Sequence, residues 1–331
     1  MDVANSRKVV VAALAGNVAI AVCKFAAAYL SQSASTLAEA VHSLADTGNQ
    51  ALLLVGMSLA ARPADERFPF GRASERYFWP FVVALMLFSV GGAFAVIEGV
   101  HKLFHPAEVS AKTLIWSYGV LGVSLLIESL SFRVAWGEFR KVARGRRLRD
   151  AIFGTRDPTI PLVLAEDLTA IVGLTLALAA VALAQLTGRV LFDAVGSILI
   201  GLLLATVALT IARITHGLLI GESASPEDQA RALVLAESVP GVKVVTQLLT
   251  MHLGPDVIIL ALKVAFRDGL DAAGIEDATN RIEEKIRAQL PAMRKIFVEV
   301  DSRGDGRGVE RLRALVRAEA EALPPQKQEA P

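Results

Sequence analysis

The chain has 331 residues, of which 53% are hydrophobic and 20% charged, with a net charge of +1 and one cysteine. That hydrophobic share is high for a soluble protein, and the near-zero charge offers no bulk attraction for nucleic acid. The lone Cys23 excludes an internal disulfide and a multi-thiolate metal site, so any metal would have to be held by oxygen and imidazole.

Apolar residues come in blocks between Val9 and Leu219, and charge becomes dense after Gly221. This pattern reads as a membrane part followed by a soluble part. A hydrocarbon core needs about 20 mostly apolar residues per helix. Six segments satisfy that: Val9–Leu30, Thr36–Ala60, Phe78–Leu103, Thr113–Trp136, Ile160–Leu186 and Val190–Leu219. The first follows Ser6-Arg7-Lys8, as a signal peptide would, but it runs past signal length and carries Asn17 and Lys24, so it reads as a span.

Lys and Arg collect on one side of these spans. Arg7 and Lys8, then Arg62, Arg67, Arg72 and Arg76, then Arg140 to Arg156 fall there, against Lys102, Lys112 and Arg189 on the other. The basic side is expected to be cytoplasmic, with both termini on it, in a bacterial inner membrane. The polar stretch Gly137–Thr159 separates the first four spans from the last two, and Arg156-Asp157-Pro158 ends it.

Beyond Gly221, Ser225–Ser238 predicts a helix with Pro226 in its first turn. Val242–Leu253 and Val257–Phe266, joined by Gly254-Pro255-Asp256, predict a hairpin. Asp271–Leu290 predicts a second helix and Lys295–Val300 a third strand. The expected fold is thus an α-helical membrane protein of six transmembrane helices followed by a small α+β ferredoxin-like αββαβ cytoplasmic domain. The expected boundaries are 1–221 for the membrane domain, 222–303 for the soluble domain and 304–331 for a charged, partly disordered tail.

Ionisable side chains at membrane depth are expensive and mark function by default. The second span is the richest, with Glu39, His42, Ser43, Asp46, Asn49 and Gln50 at spacings of three and four, one stripe of one helix. His42 and Asp46 lie one turn apart, a chelating half-site for a borderline ion such as Zn²⁺. The fifth span brings Glu166 and Asp167. Neighbours on a helix point about 100° apart, so only one aims well at a shared ion, and Asp167 is the expected ligand. Glu166 is then a fourth ligand, a proton carrier or an access-path residue. Asn17, Glu39, Asn49 and Glu128 are candidate transport-path or proton-relay residues, and a structural role competes for each. Small residues such as Gly92, Gly196 and Gly201 suit close helix packing. No nucleophile–base pair, phosphate loop or nucleotide motif occurs, so no enzyme is expected.

The run Ala38-Glu39-Ala40-Val41-His42-Ser43-Leu44-Ala45-Asp46-Thr47-Gly48-Asn49-Gln50 resembles the second helix of the cation diffusion facilitator family. Phe68-Pro69-Phe70-Gly71-Arg72 and Asp193-Ala194-Val195-Gly196-Ser197 extend the resemblance. Arg156-Asp157-Pro158 with Val163-Leu164-Ala165-Glu166-Asp167 looks most like the branch containing the ninth human zinc transporter. The resemblance implies a homodimeric antiporter that exchanges a divalent metal, foremost Zn²⁺, for protons across the lipid bilayer by alternating access. It implies His42 and Asp46 as ligands from helix two and Asp167 as the helix-five carboxylate. Many members have His where this chain has Val163, which leaves the fourth position to Glu166, a water or another helix. Two other readings stand beside zinc efflux. One is an exporter of Mn²⁺, Fe²⁺, Co²⁺ or Ni²⁺. The other is a non-transporting membrane scaffold or metal sensor.

Overall fold

The computed structural model describes residues 3–31, 34–105, 111–143, 157–189, 191–301 and 307–322. The chain divides into two compact units, Met1–Gly217 and Leu218–Pro331. Most of the expected linker and the end of the tail lie outside the described residues.

The first unit is helical: α1 (Val3–Ser31), α2 (Ala34–Ala60), α3 (Glu75–Met86), a π-helical segment (Leu87–Ala93), α4 (Phe94–Phe104), α5 (Ala111–Ala143), α6 (Thr159–Thr187) and α7 (Leu191–Leu219). α3, the π segment and α4 run on as one rod from Glu75 to Phe104. Among the described residues, five helical stretches are long and apolar enough to cross a membrane: 6–30, 75–104, 118–141, 159–187 and 191–219. The protein is therefore an integral, multi-pass helical membrane protein. α2 is as long as its neighbours and is not among the five, and its side chains at 34–39, 41 and 42 lie outside the described residues.

α1 packs against α2, α5 and α6, and α5 against α6, so four helices form a bundle. The rod from Glu75 to Phe104 meets α7 along a seam of small residues. A Cβ on Gly201 would lie 2.7 Å from the Gly92 carbonyl oxygen, and one on Gly99 2.9 Å from that of Ala194. Only glycine lets the two backbones approach this closely. Lys102 bridges the same pair, 3.0 Å from Asp193 and 3.9 Å from Glu98, so this cation is an inter-helix tie.

Between α2 and α3 the expected family loop is a tight turn. Gly71 adopts a left-handed backbone, φ +87°, and the Phe68 N–H donates to Asp65 Oδ1 at 2.7 Å. The Arg72 guanidinium stacks 4.0 Å over the Phe68 ring and pairs with Asp65 at 3.4 Å. First the Phe68 N–H and then Arg72 hold the Asp65 carboxyl below its ordinary value.

The second unit follows the expected order: α8 (Pro226–Glu237), β1 (Val242–Gly254), β2 (Val257–Phe266), α9 (Ala272–Gln289), β3 (Lys295–Val300) and α10 (Arg307–Ala322). Ser225 caps α8 by accepting the Asp228 N–H at 3.1 Å, and Asp271 caps α9 through the Gly274 N–H at 2.8 Å. The sheet order is β1-β2-β3, with β1–β2 antiparallel and β2–β3 parallel, α9 supplying the crossover. Leu233, Leu260, Leu262, Ile282 and Ile286 form the core with Val309 and Leu312, so α10 of the expected tail contributes to that core.

Candidate metal-transport site

The polar stripe of α2 faces protein. Ser43, Asn49 and Gln50 are buried, whereas Leu44 on another face is exposed. A helix places residues three and four apart on one side, so this division follows from the spacing alone. The backbone of α2 carries Glu39 and His42, and their side chains lie outside the described residues.

Asp46 is half-buried. With Ala45 and Asn49 it faces Met86, Leu87, Val90 and Gly91 across a cavity of about 10 Å³, room for one water molecule. Leu87, Val90 and Gly91 belong to the π-helical segment. Segments of this kind recur at functional sites because the extra residue re-aims the turn.

α6 reaches the stripe at Gln50. Gln50 Nε2 donates to Glu166 Oε2 at 2.7 Å, tying the two helices together at the level of the stripe. Asp167 is 3% exposed, and its Oδ2 accepts from Ser131 Oγ of α5 at 2.8 Å. The adjacent carboxylates thus turn to different neighbours, as the 100° offset requires. Asn49 Oδ1, Gln50 Oε1 and Glu166 Oε1 are buried oxygens with no hydrogen-bond partner among the described residues. Such groups are costly unless something fills them.

Glu128 of α5 is buried and lies within electrostatic reach of Asp167, Asp46 and Lys24. Lys24 of α1 is itself buried. Glu166 lies within reach of Asp46, Asp167 and Glu128. Four carboxylates from three helices thus share one interior region, with an ammonium beside them. Asn17 is half-buried on α1. No three His, Cys, Asp or Glu side chains among the described residues stand close enough together to hold one ion. The buried Val163 joins an apolar cluster with Leu53, Val83 and Ile160.

Sequence spacing singles out Asp46, Glu128, Glu166 and Asp167 as candidates, and the structure places them within electrostatic reach of one another. It does not identify their hydrogen-bond donors. Gln50 is on the stripe without an assigned role, and Ser131 is recognisable only as sharing the Glu128 face. The inter-helix distances that decide both roles are tertiary.

The second unit contains fewer candidates. His252 is buried with Nδ1 3.3 Å from the Gly254 carbonyl oxygen, a histidine satisfied by its own hairpin. Glu299 and Asp301 both pair with Lys263, at 3.3 and 3.1 Å, and together hold its ammonium pKa above the ordinary value. A groove of about 240 Å³ is lined, among the described residues, by Ala230, Val234, Leu235, Leu290 and Val316 with Arg231 and Gln289, and none of these is a carboxylate or a histidine.

Comparison with known proteins places the chain in a family. Residues 10–220 match the cation efflux transmembrane domain. The chain is 34% identical over 260 residues to a mitochondrial proton-coupled zinc antiporter of Xenopus laevis, covering 76% of this chain and 46% of that protein. It is 34% identical over 231 residues to metal tolerance protein C4 of Arabidopsis thaliana, covering 69% of this chain and 50% of that one. An uncharacterized transporter of Methanocaldococcus jannaschii is 23% identical over 299 residues, 89% of this chain and 97% of its own length. The chain spans about half the length of the zinc antiporter and the metal tolerance protein it matches. Members of the family are transporters, not enzymes. The chain belongs to the cation efflux, or cation diffusion facilitator, family, close to its proton-coupled zinc antiporter branch.

Proposed function

We propose that this protein carries a divalent cation, foremost Zn²⁺, across a bilayer in exchange for protons, by alternating access. The single observation supporting this most is that Asp46, Glu166, Asp167 and Glu128, on α2, α6 and α5, lie within electrostatic reach of one another at membrane depth. Acidic groups sunk at membrane depth without a doubly charged partner would repel one another and lack hydration. In this reading α2 is the sixth span, and His42, Asp46 and Asp167 hold the ion, with Glu166 as fourth ligand. Carboxylates and a neutral imidazole bind metal or protons at the same atoms, so the two compete, which is the basis of exchange. Asn17, Glu39, Asn49 and Glu128 line the path or relay protons. Export from the cytoplasm of a bacterial cell, with both termini inside, suits the basic connections. The second unit, layered as a ferredoxin-like domain, pairs two protomers.

The unpartnered oxygens of Asn49, Gln50 and Glu166, with Val163 where an imidazole would sit, favour a second reading for the ion. An oxygen-rich site suits Mn²⁺ or Fe²⁺ better than a site with two imidazoles. Proteoliposome flux with competing metals decides between them. In the same assay Asp46→Ala and Asp167→Ala are expected to abolish zinc flux driven by a proton gradient. Undiminished zinc flux in Asp46→Ala refutes the site.

A further inference from the structure

At the end of the first unit where α1, α3 and α6 begin, a polar node is sealed inside protein. Asp157 is 1% exposed, Arg76 6% and Ser6 0%. The Arg76 guanidinium donates to Asp157 Oδ2 as an ion pair. Ser6 Oγ donates to the same oxygen at 2.9 Å, and the Thr159 backbone N–H donates to Oδ1 at 3.1 Å. One carboxylate thus ties the starts of α1, α3 and α6 together, two helical turns before Glu166 and Asp167. Val10, Leu53, Met57, Val83, Phe139 and Ile160 form a continuous apolar cluster contributed by α1, α2, α3, α5 and α6.

An ion approaching Asp46 and Asp167 from this end has to part α6 from its neighbours, because apolar side chains offer it no replacement for its hydration shell. A permanent brace here would be served as well by more of the same apolar packing, since buried ion pairs rarely add net stability over it. An ion pair differs in one respect. It is strong while sealed from water and weak once water reaches it. Such a contact has two states rather than a graded response.

We propose that Arg76 and Asp157, steadied by Ser6 and Thr159, are the latch that closes the transport path on the side of the N-terminus. When shut, it holds the first turns of α6 against α1 and α3. When water breaks the pair, those turns swing out and open a way to Glu166 and Asp167. The latch goes beyond the metal-transport reading and rests on it only for what passes through.

The test is thiol labelling of the full chain in detergent, in a Cys23→Ala background, with a charged methanethiosulfonate reagent. Met57→Cys reports on the apolar cluster beneath the latch, and Ala194→Cys reports on the α4–α7 seam. Asp157→Asn is expected to speed labelling at position 57 by about 10-fold or more, the population shift that follows from losing one buried charge contact. Labelling at position 194 is expected to stay unchanged. The double variant Arg76→Gln/Asp157→Asn removes both members of the pair, so neither is left as a buried charge facing a neutral partner, and it is expected to label like Asp157→Asn. Unchanged labelling at position 57 in either monodisperse variant, or equal acceleration at both positions, overturns the latch. Labelling needs no metal, so a protein that moves no divalent ion refutes the transport reading without obscuring this result.

Discussion

Replacing Gln50 by Leu removes one donor and keeps the volume. In the wild type its amide N–H reaches Glu166 Oε2 at 2.7 Å, with the amide itself 1% exposed, so water cannot take its place. A hydrogen bond to a charged group contributes about 1.5–3 kcal/mol. If Glu166 completes the metal site, Gln50 fixes which of its oxygens is free to bind, and that energy appears in the metal affinity. At about 1.4 kcal/mol per tenfold, the expected loss of zinc affinity is about 10- to 150-fold. Competition against a fluorescent chelator on purified protein measures it, with size-exclusion chromatography showing that the fold is retained. Gln50→Glu is expected to lose affinity as well, because two carboxylates would then oppose each other. Unchanged zinc affinity in monodisperse Gln50→Leu refutes Glu166 as an oriented ligand.

Gly201→Leu forces atoms against the Gly92 carbonyl and Val96, and is expected to cost about 1–3 kcal/mol, read as a lower melting temperature. Gly122→Ala, with open space around its Cβ position, is the matched control and is expected to leave it unchanged. Ser131→Ala strips the 2.8 Å donor from the buried Asp167 and is expected both to weaken zinc binding and to lower stability by about 1–3 kcal/mol, measured by titration and melting. Ile282→Ala in the fully buried core of the second unit is expected to destabilise that unit by about 2–5 kcal/mol in denaturant unfolding of the full chain. The folded chain holds the Asp65 pKa below its ordinary unfolded value, so its contribution to the loop is present above the unfolded value and is lost as pH falls through the folded one. Hydrogen exchange of residues 65–72 is therefore expected to differ between wild type and Asp65→Ala at neutral pH and to converge in acid. A constant difference at all pH values would refute the role of the charge.

The legibility of this molecule varies from element to element. The hairpin at Gly254-Pro255-Asp256, the third strand Lys295–Val300 and the caps at Ser225 and Asp271 are all readable, since turn chemistry and side-chain capping act within a few residues. The polar stripe of α2 is readable for the same reason. Arg76 illustrates the opposite. By position it counts as one more basic residue in a loop beside the membrane, yet the fold seals it against Asp157, which is 81 positions away. The Pro80 within α3 gives no hint of the π-helical turn that follows it. Lys24 looks like an isolated oddity in an apolar run until α1 packs on α5 beside Glu128.

By itself the sequence determined the helices and the small sheet and singled out the candidate carboxylates, because hydrophobic period, caps and the cost of charge in lipid are local properties of the chain. Only the tertiary structure decided which donor holds which carboxylate: Gln50 on Glu166, Ser131 on Asp167, Arg76 on Asp157. Those pairings depend on how helices distant in sequence rotate and approach, and glycine seams and apolar clusters set that at ångström scale, beyond the reach of any residue period.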